Sequence, residues 1–420
     1  MNASITTIPG AATKLTGDAS APPATVDAAI VGATGYVGGE LLRLLAAHPT
    51  LQVRHLLARR AGVAAEALFP HLTGCVGTMA TEAMDSLDDQ LAGDAPLAIF
   101  FALPHAASAA MIDHVMQQAA RPLHIVDLSA DFRLPSAAAF ESIYGGEHPA
   151  PDRFKEFHCG LPDLDPTRPS GPVAHPGCFT TATCLGAAPL VARGFVEPRI
   201  VVNAITGSTG SGQSPSATTH HPERHGSVRQ YAPLTHRHRP EMELLLGRLV
   251  PRAGNVMHGS GGLSGSSGSI GSSGSSSRGG SGDSNGTGTG ANAAGSIVTD
   301  TAAPEVIFTP HSGPFARGIL ATVTARLRRP RDVDEILAAY REHYASSPFV
   351  DVVAGSVGLK SVVGTNRCRI GVATDGRDVV VASAIDNLVK GSAGGAVHWM
   401  NRSLGLPDAT GLHAPALGWT

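Results

Sequence analysis

The sequence predicts an α/β fold in two parts, a doubly wound parallel sheet followed by a mixed α+β region. Three observations lead there. The apolar strand Ala28 to Val31 runs straight into the glycine-rich turn Gly32 to Gly39 and then into a helical pattern. Two further apolar runs, 98–102 and 124–128, flank helical spacing over 106–120, so strands alternate with helices. Beyond about Ser170 the alternation stops, and shorter alternating runs near 320–327 and 379–384 point to a second, mixed sheet.

Taken in order, residues 1–24 are rich in Ala, Thr, Ser and Pro, with Lys14 as their one cation and no apolar stretch. They read as a disordered extension, neither a secretory signal nor an Arg-rich transit peptide. The helix after the glycine turn places Leu41, Leu42, Leu44 and Leu45 on one side and stops at Pro49. A strand at 52–57 follows and ends at Arg59-Arg60. We expect a nucleotide-binding domain over 25–174 and a catalytic domain over 175–384. Inside the latter, residues 259–290 hold 13 of the chain's 50 glycines and 12 serines. That composition buries too little apolar surface to offset its ordering entropy, so it reads as a flexible insertion without chemistry of its own.

Composition excludes several function classes. A net charge of −3 provides no basic footprint for nucleic acid or an acidic membrane surface. No run of eighteen apolar residues exists to span a bilayer. Five cysteines, an odd number with no CxxC pair, predict reduced thiols and a cytoplasmic setting.

Three constellations carry chemistry. The spacing Gly32-x-x-Gly35-x-x-Gly38 between strand and helix, with Thr34, Tyr36 and Val37 in the turn, suits a dinucleotide pyrophosphate. A generic strand-to-helix turn is the plain alternative. At the end of the next strand Arg59 and Arg60 stand where an acidic residue would favour NAD; two cations suit a 2′-phosphate and so NADP, unless they are only a solvated basic turn. Cys178, in His175-Pro176-Gly177-Cys178, precedes the helical pattern 182–191. A thiol at a helix N-terminus has its pKa lowered, although periodicity alone makes a buried structural cysteine the commoner reading. His236-Arg237-His238 offers a base for that thiol and a cation for an anion; a zinc site with His220, His221 and His225, or plain surface polarity, are the alternatives.

Together these residues resemble the N-acetyl-γ-glutamyl-phosphate reductase family of arginine biosynthesis, within the broader aspartate-semialdehyde-dehydrogenase-like group. The matching stretches are 32–39, Ala-Leu-Pro-His at 102–105, 127–134, 144–151, Gly-Leu-Pro-Asp-Leu at 160–164, 176–178, 236–241, Arg-Gly-Ile-Leu at 317–320 and 385–391. They occur in one order across almost the whole chain outside 259–290. The resemblance implies a Rossmann-type dinucleotide domain, a catalytic and dimerisation domain, and a C-terminal segment, 385–412, returning to the first domain. It implies NADP, a Cys178 nucleophile, an acid/base at His236 or His238 with His236 slightly favoured, and a homodimer or homotetramer. Arg237 and the Gly207, Ser208 loop are implied at the substrate phosphate, the loop as a nest of backbone N–H groups. Arg133 and Glu241 are implied at the substrate, Arg133 on its carboxylate. Metal is not implied. Two departures stand out: His175 replaces the family's usual Asn, and Phe179-Thr180-Thr181 replaces Tyr-Pro-Thr, which removes a hydroxyl. The rivals are reduction of an aspartyl phosphate or a carrier-bound aminoadipyl phosphate, a non-catalytic NADP-binding regulator, and a zinc hydrolase.

Overall fold

The computed structural model describes residues 25–251 and 304–418; the 1–24 extension and the 259–290 insertion lie outside the described residues. Two sheets organise the chain. The first comprises β1 (Val26–Val31), β2 (Leu51–Leu57), β3 (Leu97–Phe101), β4 (Leu123–Asp127), β5 (His158–Cys159) and β6 (Val173–Ala174), in the order β2-β1-β3-β4-β6-β5. Each pairing is parallel. All five residues of β3 are buried, so its run of Leu, Ala, Ile and Phe is what a strand covered on both faces requires. The strand order turns outward on either side of β1 and β3, and a doubly wound sheet binds ligands beyond the strand ends at that point.

Helices α1 (Tyr36–Leu45), α2 (Ala65–Leu68), α3 (Ala107–Gln118) and α4 (Ala137–Tyr144) belong to this first part. The four leucines at 41, 42, 44 and 45 are buried, as their spacing predicts. Between β1 and α1, Gly32 holds φ +88°, and a Cβ there would lie 2.7 Å from the Ala102 carbonyl oxygen; only glycine fits.

The second sheet has seven strands: β7 (Val196–Thr206), β8 (Arg229–Gln230), β9 (Glu305–Ser312), β10 (Ile319–Leu327), β11 (Val350–Ala354), β12 (Cys368–Thr374) and β13 (Asp378–Ile385). Their order is β11-β12-β13-β10-β7-β9-β8, with parallel and antiparallel pairs mixed. Along β10 buried residues alternate strictly with partly exposed ones. Helix α5 (Cys178–Ala192) lies on the buried side against β10 and β13. Helices α6 (His221–Arg224), α7 (Arg239–Gly247) and α8 (Val333–His343) follow, with α7 packed on α5. Thirteen of the fifteen α5 residues are buried, which explains a helix apolar on every side.

After β13 the chain makes a π-helical turn, Val389–Ala393, then α9 (Gly394–Leu404), which packs beside α1 and over β4. Side chains stitch the two parts together. Arg317 pairs with Glu40 of α1 at 2.6 Å and with Asp386 at 3.1 Å. Lys390 and Asp163, both almost fully enclosed, pair at 2.5 Å. Two charges buried this deeply hold only because they face each other, so losing either partner strands the other.

Candidate active site

Cys178 is the first residue of α5, and Gly177 caps the helix in extended conformation, φ −64° and ψ 154°. The helix thus starts four residues before the pattern at 182–191 suggested, because Pro176-Gly177 turns the chain out of β6 directly into helical geometry. The expected lowering of the thiol pKa is corrected here. Burial pushes the Cys178 thiol up to about 11, outweighing the Arg133 charge and the Phe179 N–H that reaches the sulfur. With its pKa this high the partly exposed thiol rests protonated at neutral pH and needs a base to make it nucleophilic.

Glu241, in the first turn of α7, organises the turn that carries the cysteine. One carboxylate oxygen accepts the Gly177 N–H at 2.8 Å and the Thr180 hydroxyl at 3.0 Å. The other faces Arg133 Nη1 at 3.4 Å, while Arg133 Nη2 donates to the Leu128 carbonyl at 2.7 Å. Both residues are buried, Glu241 to 1% exposure and Arg133 to 8%. They face each other inside the fold, and Arg133 Nε is left without a partner among the described residues. They tie the loop after β4 to the cysteine turn, and the Arg133 charge favours the thiolate.

The two histidines differ. His236 Nδ1 accepts the backbone N–H of His238 at 3.1 Å. Burial holds its pKa down to about 4, so the ring is neutral and carries its proton on Nε2. His238 presses against the cysteine turn: a Cβ on Gly177 would sit 2.4 Å from its Nε2. Burial keeps His238 neutral well below the ordinary imidazole range, and its Nδ1 has no hydrogen-bond partner among the described residues. The rings lie 4.7 Å apart, with Phe179 edge-on to both. Arg237 between them is exposed and rests over the Tyr144 ring at 5.6 Å.

The Gly207, Ser208 loop departs from expectation. The N–H groups of Gly207, Ser208 and Thr209 donate to the carbonyls of Gly318, Phe315 and Ala316, so they are spent on the chain itself and form no anion nest. Among the described residues no three His, Cys, Asp or Glu side chains converge as a metal site.

At the same carboxyl edge of the first sheet, beyond β1, Gly35 caps α1 without a side-chain acceptor and has nothing within 4 Å of where a Cβ would be. The first-turn N–H groups at Tyr36, Val37 and Gly38 are the donors a pyrophosphate needs there, so the residues present fit a dinucleotide. Thr34 lies in the turn, and Arg59 and Arg60 are exposed just beyond β2.

Comparison with known proteins accords with this site. Residues 27–168 match the model of the semialdehyde dehydrogenase NAD binding domain, and 178–258 with 293–387 match that of its dimerisation domain. The N-acetyl-gamma-glutamyl-phosphate reductase of Cellvibrio japonicus is 37% identical, over 93% of this chain and 99% of its own. That of Methanopyrus kandleri is 35% identical, over 92% of this chain and 97% of its own. The chain belongs to the N-acetyl-γ-glutamyl-phosphate reductase family.

A solved aspartate semialdehyde dehydrogenase II from Vibrio cholerae, complexed with ASA, superposes with a TM-score of 0.58 at 14% identity, covering 90% of this chain and 98% of that one. At that identity the likeness concerns the fold. Membership of the reductase family makes a pyridine nucleotide the cofactor of the first domain and makes the second a dimerisation domain. No helix among the described residues is long and apolar enough to cross a membrane.

Several residues of this reductase site escaped sequence reasoning. Gly391 sits so close to the nucleophile that a Cβ on it would lie 2.7 Å from the Cys178 Cβ. We expect Gly391→Ala to displace the cysteine and lower kcat by roughly a hundredfold, with little change in nucleotide binding; fluorescence titration with NADPH beside steady-state rates checks this. Lys390, Asp163, Arg317 and Tyr144, all within the quoted motifs, and Glu40, just after the first of them, were also passed over. Charged residues inside otherwise apolar motifs, such as Asp163 and Lys390, were the available signal.

Proposed function

We propose that this chain reduces N-acetyl-γ-glutamyl phosphate with NADPH, giving N-acetyl-L-glutamate 5-semialdehyde and phosphate through a thioester on Cys178, in the cytoplasm and in arginine biosynthesis. The observation that carries the reading is Cys178 at the start of a buried helix, with the neutral His238 ring against the turn that holds it.

Its residues divide the work. His238 takes the thiol proton, and the Cys178 sulfur attacks the acyl carbon. The carbon–oxygen bond to phosphate breaks, and His238 returns its proton to the departing phosphate. A bound nicotinamide supplies the hydride that reduces the thioester. His236, whose proton sits on Nε2, donates to the oxygen that gains negative charge as the hemithioacetal forms. Collapse then breaks the carbon–sulfur bond, releases the aldehyde and restores the thiolate. Assigning the base to His238 reverses the slight preference for His236, because the N–H bond at His236 Nδ1 leaves that ring a donor on its other side. Arg237, exposed at the same mouth, is free to grip the anionic substrate.

The reading is tested in reverse, with N-acetylglutamate semialdehyde, phosphate and NADP⁺ followed at the NADPH absorbance. Turnover with an aspartyl or a carrier-bound aminoadipyl substrate instead would replace it. Arg59 and Arg60 support NADP over NAD. Arg59→Ala with Arg60→Ala should raise KM for NADPH about tenfold or more while leaving KM for NADH within twofold; parallel rises in both would remove the 2′-phosphate contact. The partly exposed positions of β10, on the side α5 leaves uncovered, support a homodimer or homotetramer formed through that sheet.

A further inference from the structure

Tyr144 closes α4 and carries a buried hydroxyl with no hydrogen-bond partner among the described residues. Buried phenols normally find a partner, so an orphaned one calls for an explanation. Its ring is fixed on both sides, stacked on Phe140 at 4.8 Å and tilted against His105 at 5.3 Å. The Arg237 guanidinium lies over it at 5.6 Å. Arg133 Nε and His238 Nδ1 are likewise buried without a partner among the described residues.

The surroundings of the hydroxyl connect it to the nucleophile. Burial first, and then the Glu241 charge, raise the Tyr144 pKa to about 12 against the opposing charges of Arg133 and Arg237. Glu241 is the residue that holds the Gly177 N–H beside Cys178. Arg237, which lies over the Tyr144 ring, adjoins His238 in the chain, and His238 packs against Gly177 beside Cys178, so Tyr144 stands at the end of the site where bonds change, a neutral donor throughout the working pH range. A neutral O–H beside an exposed guanidinium is a donor set for an anionic oxygen. At the reacting end of an acyl phosphate the group bearing such oxygens is the phosphoryl group.

We propose that the Tyr144 hydroxyl, with Arg237, binds a phosphoryl oxygen of the substrate and of the phosphate released from it. This rests on the acyl-phosphate reading above. The phenol donates one hydrogen bond and Arg237 supplies charge, while Glu241 stays committed to Gly177 and Thr180.

Tyr144→Phe removes the donor and keeps the ring packing. In the reverse reaction we expect KM for inorganic phosphate to rise about tenfold, with KM for the semialdehyde and for NADP⁺ within twofold. Calorimetric titration of the full chain with inorganic phosphate should show the same weakening, and an unchanged melting temperature shows that the variant folds. Unchanged phosphate constants, or a rise confined to the semialdehyde, would overturn the assignment. Should the wild-type chain fail to turn over the semialdehyde, the acyl-phosphate reading fails by itself; calorimetry still decides whether Tyr144 holds phosphate.

Discussion

Replacing Cys178 by serine should lower turnover by at least roughly three orders of magnitude while NADPH binding stays within twofold. The serine hydroxyl is a far weaker nucleophile, and no thioester forms to receive hydride. A companion measurement separates the nucleophile's chemistry from its position. Burial disfavours the thiolate and raises the thiol pKa to about 11, so the anionic fraction climbs through the whole alkaline range. Alkylation of Cys178 by iodoacetamide should therefore rise nearly tenfold per pH unit between pH 6 and 9 and show no plateau. A plateau below about 8.5, the value of a free thiol, would mean that the helix N-terminus governs the cysteine after all. If the serine variant kept most of its activity, the covalent route would be lost.

Glu241→Ala is expected to be the most damaging change for stability. It leaves Arg133 charged and enclosed, and strips the Gly177 N–H and the Thr180 hydroxyl of their acceptor. Breaking a buried pair from one side costs about 3–5 kcal/mol, enough to lower the urea midpoint markedly. Glu241→Gln is the milder probe, since the amide oxygen can still accept from Gly177 while the charge facing Arg133 disappears. For that variant we expect kcat to fall by roughly a hundredfold with KM little altered, as a displaced nucleophile would produce. Single-turnover rates beside the urea midpoint check both variants. An inert Glu241→Gln would show that the carboxylate positions nothing.

Much of this fold was legible because its signals are local. The sequence Ala28 to Gly39 shows strand, turn and helix within twelve residues, and each property needs only neighbours along the chain. The buried strand β3 declares itself by a continuous apolar run, and β4 by the Ile125-Val126 pair at its centre. By contrast α8, β11 and β12 went unread. Residues 350–354 and 368–374 are short, and their pairing joins segments with no shared turn, so no short-range pattern marks them. Boundaries moved for the same reason. β7 runs over eleven residues where only its apolar centre, 200–202, stood out, because β9 and β10 extend it by pairing.

The site divides similarly. Its residue types were readable: a cysteine after Pro-Gly, two histidines around an arginine, a glutamate three residues on. Their partners were not. Arg133 and Glu241 lie 108 residues apart, and only packing shows that they spend themselves on each other. Gly207 and Ser208 have the composition of an anion nest, yet the strand that brings 315–318 alongside uses their N–H groups first.

By itself, then, the chain determined its α/β class, the glycine turn between its first strand and helix, and its family, since these depend on periodicity and on motifs contiguous in sequence. Tertiary structure alone decided the protonation state of Cys178, which histidine is left free to accept a proton, and which polar groups remain unspent. Those properties depend on burial and on hydrogen-bond partners brought from more than a hundred residues away, and desolvation acts only once the chain has closed around them.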